Sequence, residues 1–227
     1  MCGRYVSPDE ASLEREFNLV RSEWRFPASF NVAPSQPVPA VRMDGASKHV
    51  IPLRWGLVPF FARGVAGKYS TINARIETIE TSASYRGPWK RGQRCIIPAL
   101  GFYEWHIDSD GGKQPFFIQL EDQEVFGFAG LWDRSANDAG AVIESCTIIT
   151  LPANKLMAEI HNGRARMPAI LGRGQHDAWL TGASDSARAA LAPYPDEQMS
   201  AYAVSTRVNS PRNNDEKLID PLPPAMD

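Results

Sequence analysis

The chain has 227 residues, 43% of them hydrophobic, enough to bury one sizeable core. Its three cysteines, Cys2, Cys95 and Cys146, are too dispersed for a disulfide framework or a CxxC metal motif. A net charge of −2 excludes bulk attraction to polyanions, so any nucleic-acid site must be local. No run approaches the ~20 apolar residues of a membrane span, and the start lacks the apolar core of a secretion signal. The expectations are therefore no membrane, reduced thiols and a cytoplasmic location.

In chain order, Ser7-Pro8-Asp9-Glu10 reads as a capping box with Ser7 at the N-cap, and Leu13, Phe17 and Val20 supply the buried stripe of a short helix. "FNVAPSQPVPAVRM" is extended, and Asp44-Gly45 followed by "KHVIPLRWGLVPF" suggests strands joined by a turn. "ARIETIETSASYRGPWKRG" predicts a helix ended by Gly87-Pro88. From residue 93 the runs "QRCIIPA", "GFYEWHI", "QPFFIQL", "VFGFAGLW" and "ESCTIIT" read as strands of one curved sheet, with a tight turn at Asp110-Gly111-Gly112. "PANKLMAEI" predicts a helix ending against His161, and "GQHDAWLTG" and "SDSARAALA" predict short helices over the sheet. No linker separates two domains, so a single α+β domain over residues 1–213 is expected, followed by a polar, Pro-rich tail over 214–227.

Removal of Met1 would leave Cys2 carrying an α-amine and a thiol on adjacent carbons. Such an amine titrates near about 7.7–8.0, so a useful fraction is nucleophilic at neutral pH. It can attack an aldehyde to give a Schiff base, and the thiol can close on that carbon as a five-membered thiazolidine. In "STINARIET", the amide of Asn73 and the guanidinium of Arg75 suit a sugar oxygen and a phosphate. "GFYEWH" alternates, so Tyr103 and Trp105 face one side and Glu104 the other, where an apolar surround would raise its pKa for acid/base work. On that segment alone, an ordinary solvent-facing glutamate fits equally well. His161 stands at a helix C-terminus, where the dipole favours imidazolium, and Arg164 and Arg166 follow. Cys95 and Cys146 sit in apolar strands as inert thiols, and no metal or organic cofactor is implied.

The ordered set "MCGRY", "NVAPSQ", "RWGLVP", "INARIET", "GFYEW", "KQPFFI", "IHN" with "RMPAIL", and "VSTRVN" resembles the SOS-response-associated peptidase family, also called abasic-site processing proteins, over roughly residues 2–209. The resemblance implies a curved, barrel-like mixed sheet flanked by short helices, in a monomer that recognises abasic sites in single-stranded DNA. It also implies self-processing of the amino end, a covalent thiazolidine link through Cys2, and nucleoid association while acting. Carried over by motif, Asn73 orients the sugar, Glu104 and His161 move protons, and Arg4, Arg75 and Arg166 hold flanking phosphates. Pro34 is a wedge, Phe61 a stacking surface and Trp105 an aromatic wall. The family commonly spaces its motif His-x-Arg-Met-Pro; "HNGRARMP" carries three extra residues, so Arg164 can substitute for Arg166. Leu100 stands where relatives commonly have Asp. Two rivals keep part of this evidence: an N-terminal-nucleophile amidohydrolase of the glutamine amidotransferase type, which shares Met-Cys-Gly, and a single-strand binder whose cysteine is idle.

Overall fold

A computed structural model describes residues 2–19, 24–65 and 70–223. Its elements run β1 (Arg4–Ser7), α1 (Glu10–Phe17), β2 (Ser29–Val32), β3 (Pro37–Asp44), β4 (Ser47–Trp55), β5 (Asn73–Arg75), α2 (Arg86–Lys90), β6 (Arg94–Ala99) and β7 (Gly101–Ile107). They continue with β8 (Lys113–Leu120), β9 (Phe126–Ala136), β10 (Val142–Pro152), α3 (Lys155–Ile160), β11 (Arg166–Pro168), β12 (Ile170–Leu171), α4 (His176–Thr181), α5 (Ser184–Ala189) and β13 (Met199–Ala203).

The strands form two sheets rather than the single sheet expected. In the first, β10, β4, β3, β6 and β9 follow one another around a ring, and β9 pairs with β10 to close it into a five-stranded mixed barrel. Only the β10–β4 contact of that ring is parallel. The second sheet, β13-β8-β7-β1-β2, is antiparallel throughout. The chain switches sheets at Leu100, between the fully buried end of β6 and the start of β7, and the Leu100 N–H donates to Val6 O at 2.9 Å. The fold is thus α+β in one domain, with the barrel expected from the family.

Edge-to-face aromatics fill the space where the sheets meet: Tyr5 against Trp55 (centroids 5.4 Å) and Phe128 (5.9 Å), and Phe102 against Phe128 (5.8 Å). On the other face of the five-stranded sheet, Val6, Tyr103, Phe117, Val204, Val208 and Leu218 make a second, smaller core. Residues after 213 contribute to it through Leu218, and Asn31 donates to the carbonyls of Val208, Ser210 and Asn213 at 2.7–3.2 Å.

Three local expectations change. Ser7 ends β1 and is buried; Asp9 is the N-cap of α1, accepting from Ser12 N–H at 2.9 Å, while Leu13 and Phe17 are buried as expected and Val20 lies outside the described residues. The segment read as one helix before Gly87-Pro88 is instead β5 and a 3-10 turn at 76–78, and Pro88 lies inside α2 rather than after a helix end. Pairing of β5 with β10 competes with local helix propensity and wins, since it satisfies backbone groups that a polar helix would leave on the barrel surface.

Gly101, the first residue of β7, is packed so closely that a Cβ would overlap the Phe117 ring and lie 2.7 Å from Ile118 O. Gly101→Ala should therefore lower stability by about 1–3 kcal/mol, read as a fall in the urea midpoint; an unchanged midpoint would show that the β7–β8 packing gives way freely.

Candidate active site at the β1–β7 edge

Strand β1 pairs with β7 in the register Arg4↔Tyr103 and Tyr5↔Phe102. Continued two residues outward, that register brings Cys2 level with Trp105, next to Glu104. Alternation along β7 sends Tyr103 and Trp105 to the smaller core and Glu104 to the opposite side. Glu104 is only 2% exposed, and burial pushes its carboxyl up to about 7, against the pull of nearby positive charge including Arg164.

Cys2 is fully buried. Desolvation raises its thiol well above the ordinary range, and the Glu104 charge raises it further. The resting side chain is therefore a thiol, and its proton needs a nearby acceptor before the sulfur can attack. Asn73, at the head of β5, donates from Nδ2 to Cys2 O at 2.9 Å, and Tyr85 Oη donates to Asn73 O at 3.0 Å. The Asn73 Oδ1 is buried and makes no hydrogen bond among the described residues.

His161 caps the C-terminus of α3. Its Nδ1 lies 2.9 Å from Arg166 O, a carbonyl that can only accept, so Nδ1 carries the hydrogen and Nε2 presents the lone pair in the neutral ring. The expectation of a helix-favoured imidazolium is reversed: burial lowers the His161 pKa, outweighing the hydrogen bond to Arg166 O that raises it. A six-residue helix has only a weak dipole to oppose that desolvation. His161 Nδ1 and Glu104 Oε1 are 3.8 Å apart. Both residues open onto a cleft of about 470 Å³ that is also lined by Trp105, Ile107, Lys113, Gly163 and Arg164.

The arginines divide into two kinds. Arg4 is committed to Asn31 Oδ1 and Val208 O (both 2.9 Å) and to Asn209 O (3.3 Å). Arg166, buried, forks onto both carboxylate oxygens of Glu77 and donates to Thr150 O at 2.7 Å. Arg75 and Arg164 are exposed. Trp105 lines the cleft with its Nε1–H anchored on Asn209 Oδ1 at 2.8 Å. Pro34, in a turn, and Phe61, in a 3-10 turn over Phe60–Ala62, do not line that cleft; Pro34 is exposed beside Ser35, whose φ is +74°.

Sequence reasoning passed over Phe60, which with Phe61 forms an exposed edge-to-face pair (5.6 Å) stacked under Arg91. That turn is held by Asp133 accepting from Phe60 N–H (3.0 Å) and Ser135 accepting from Gly64 N–H (2.9 Å). Two adjacent phenylalanines after a proline, in a loop, were the available signal. Lys113 was also missed; it reaches the cleft through its register opposite Ile107, which only the hairpin reveals.

Comparison with known proteins places this geometry in context. The model of the SOS response associated peptidase (SRAP) family matches residues 1–211. The abasic site processing protein YoaM of Bacillus subtilis is 38% identical over 97% of this chain and 98% of its own. The abasic site processing protein HMCES of Gallus gallus is 32% identical over 92% of this chain and 72% of its own. Among solved structures, a protein from Bacteroides thetaiotaomicron superposes with a TM-score of 0.88 at 27% identity, covering 98% of this chain and all of the other. One from Bordetella bronchiseptica gives 0.79 at 30% identity, over 90% of this chain.

Because its folded pKa is raised, Glu104 holds a proton in the native chain that the unfolded chain has lost between its ordinary range and about 7. Its contribution to stability is thus favourable at low pH and is lost as pH rises through that window. Glu104→Gln should be more stable than the parent at pH 8 by about 2–3 kcal/mol, with the advantage vanishing toward pH 5. Urea midpoints at the two pH values test this, and a pH-independent difference would contradict it.

Proposed function

Because the chain belongs to the SOS response associated peptidase family, we propose that it processes abasic sites in single-stranded DNA by bonding them covalently to Cys2 after Met1, which lies outside the described residues, is removed. The observation that carries this reading is the convergence on Cys2 of Asn73, bonded to its carbonyl, and Glu104, a buried carboxyl poised near neutrality. Amine, thiol and proton carrier are then close to one another.

The chemistry balances as follows. Opening of the sugar moves one proton from the C1′ hydroxyl to O4′. His161, neutral with its Nε2 lone pair, accepts the first proton, and the protonated fraction of Glu104 supplies the second. The Cys2 amine adds to the aldehyde carbon, one water leaves, and a C=N bond forms. Glu104, now a carboxylate, takes the thiol proton; the sulfur bonds to the same carbon, and the proton returns to nitrogen to complete the thiazolidine. This assignment makes His161 a base in the opening step, where its position in the sequence suggests an acid. Asn73 Oδ1, buried without a hydrogen-bond partner among the described residues, is assigned to a sugar hydroxyl.

Arg75 and Arg164 take flanking phosphates, while the Arg4 and Arg166 networks hold the frame around them. Phe61 with Phe60 offers a face for an unpaired base, Pro34 a wedge and Trp105 the cleft wall. The chain acts as a monomer on this reading, at DNA inside the cell.

Denaturing electrophoresis of Met1-free protein mixed with an abasic single strand should show a stable conjugate. Cys2→Ala should abolish it, and Cys2→Ser should leave only an imine that borohydride traps. Glutaminase activity without a conjugate would favour the amidohydrolase, and salt-sensitive binding alone would favour the idle-cysteine binder. In the same assay run across salt concentrations, Arg75→Ala and Arg164→Ala should each lower the log–log slope of binding by about one. Arg166→Ala should instead lower the thermal midpoint, because Glu77 and Thr150 lose their partner.

A further inference from the structure

Strand β7 is paired with β8 along one edge out to Ile107↔Lys113, but on its other edge β1 stops at Arg4↔Tyr103. Farther out, a side chain takes the place of a strand. Asn162 accepts from Ile107 N–H through Oδ1 at 3.0 Å and donates from Nδ2 to Ile107 O at 2.9 Å. This is the two-bond exchange that a paired residue of an antiparallel neighbour would make. Asn162 directly follows His161, and the turn it begins is closed tightly: Arg164 N–H and Ala165 N–H both donate to His161 O, at 3.1 and 2.8 Å. Ala165 adopts φ +47°, and Gly163 packs where a Cβ would lie 2.8 Å from Ile107 Cδ1. A second tie, His106 Nδ1 to Glu159 O at 2.9 Å, joins the same strand to the end of α3.

We propose that Asn162 is a positioning residue for the crosslinking reaction, locking the turn after His161 to the edge of β7 three residues beyond Glu104 and so setting the separation of these two proton carriers. The inference rests on the reading of Cys2, Glu104 and His161 given above. Glu104 and His161 come from a strand and a helix end that share no hairpin, so their 3.8 Å approach depends on what pins one element to the other. The Asn162 amide pins both the donor and the acceptor of one β7 residue, which fixes translation along the strand as well as distance from it.

Asn162→Ala and Asn162→Ser, prepared in Met1-free protein, test this through two readouts. One is the titration midpoint of the Glu104 carboxyl by carbon NMR; the other is the pH profile of single-turnover conjugate formation at saturating abasic oligonucleotide. The charged and titratable groups around Glu104, namely Cys2 with its amine, His161, Arg164 and Lys113, are all retained in both variants, so a moved midpoint reports a changed arrangement of them around Glu104. Asn162→Ala should displace the midpoint and slow conjugation about ten- to a hundredfold. Affinity for an oligonucleotide carrying unreactive tetrahydrofuran should stay within about twofold. Asn162→Ser, which keeps an acceptor for Ile107 N–H, should fall between. A parental midpoint and pH profile in Asn162→Ala would overturn the proposal, and so would an affinity loss that matches the rate loss. Absence of any conjugate with the parent protein would sink the crosslinking reading instead, and the Glu104 midpoint would still decide the role of Asn162.

Discussion

The antiparallel contact between β1 and β7 is the constraint on which the rest of the structure depends. It is short, running from Arg4↔Tyr103 to Val6↔Gly101, yet it carries the start of the chain to a strand whose Glu104 side chain points away from the smaller core. Everything beneath it serves to hold that register. Tyr5 is pinned between Trp55 and Phe128 in the main core, and Val6 is buried in the other core, so a slip by one residue would exchange two incompatible environments. Arg4 adds polar restraints from the same strand to Asn31 and to the carbonyls of Val208 and Asn209. A terminal strand held on both faces and at its side chain differs from the frayed end that position in the chain alone would suggest.

The site enclosed by that contact is governed by desolvation more than by charge pairing. Burial raises the Cys2 thiol and the Glu104 carboxyl and lowers the His161 imidazole, so all three are driven toward their neutral forms. On the proposed mechanism, three groups held toward neutrality suit a reaction whose steps alternate between donation and acceptance. A site built of fixed ions would favour one direction only. The hydrogen bond from His161 to Arg166 O matters for the same reason, since it settles which ring nitrogen carries the hydrogen in the neutral ring.

What could be read from the sequence follows the range of the interactions involved. Strands β6 to β10 are legible because period-two alternation and turn glycines are local, and the same alternation separates Glu104 from Tyr103 and Trp105. Strand β1 was hidden by the capping signal at Ser7-Pro8-Asp9-Glu10, which proved to belong to Asp9. Strand β5 was hidden by helix-compatible composition, because its pairing with β10 spans more than seventy residues. Barrel closure through β9 and β10 leaves no mark on either strand taken alone. At the site, the protonation of His161 was misjudged because a helix end can be seen in a sequence and the degree of burial cannot. The commitment of Arg166 to Glu77, eighty-nine positions away, was likewise beyond any local pattern.

On the function proposed above, the division among the arginines explains how a chain of net charge −2 could present a nucleic-acid surface. A guanidinium serves either as a frame, with its donors spent inside the protein, or as a docking point, with its donors open to solvent. Arg4 and Arg166 are of the first kind, and the exposed Arg75 and Arg164 have the form of the second. Arg166 lies two residues beyond Arg164, and β5, which ends at Arg75, pairs with the strand whose Thr150 accepts from Arg166. Arg164 and Lys113 thus line the cleft while the whole chain stays slightly negative. On the function proposed above, such an arrangement would attract a short, distorted single strand at one point without holding long DNA along its length, as a protein acting on isolated lesions requires.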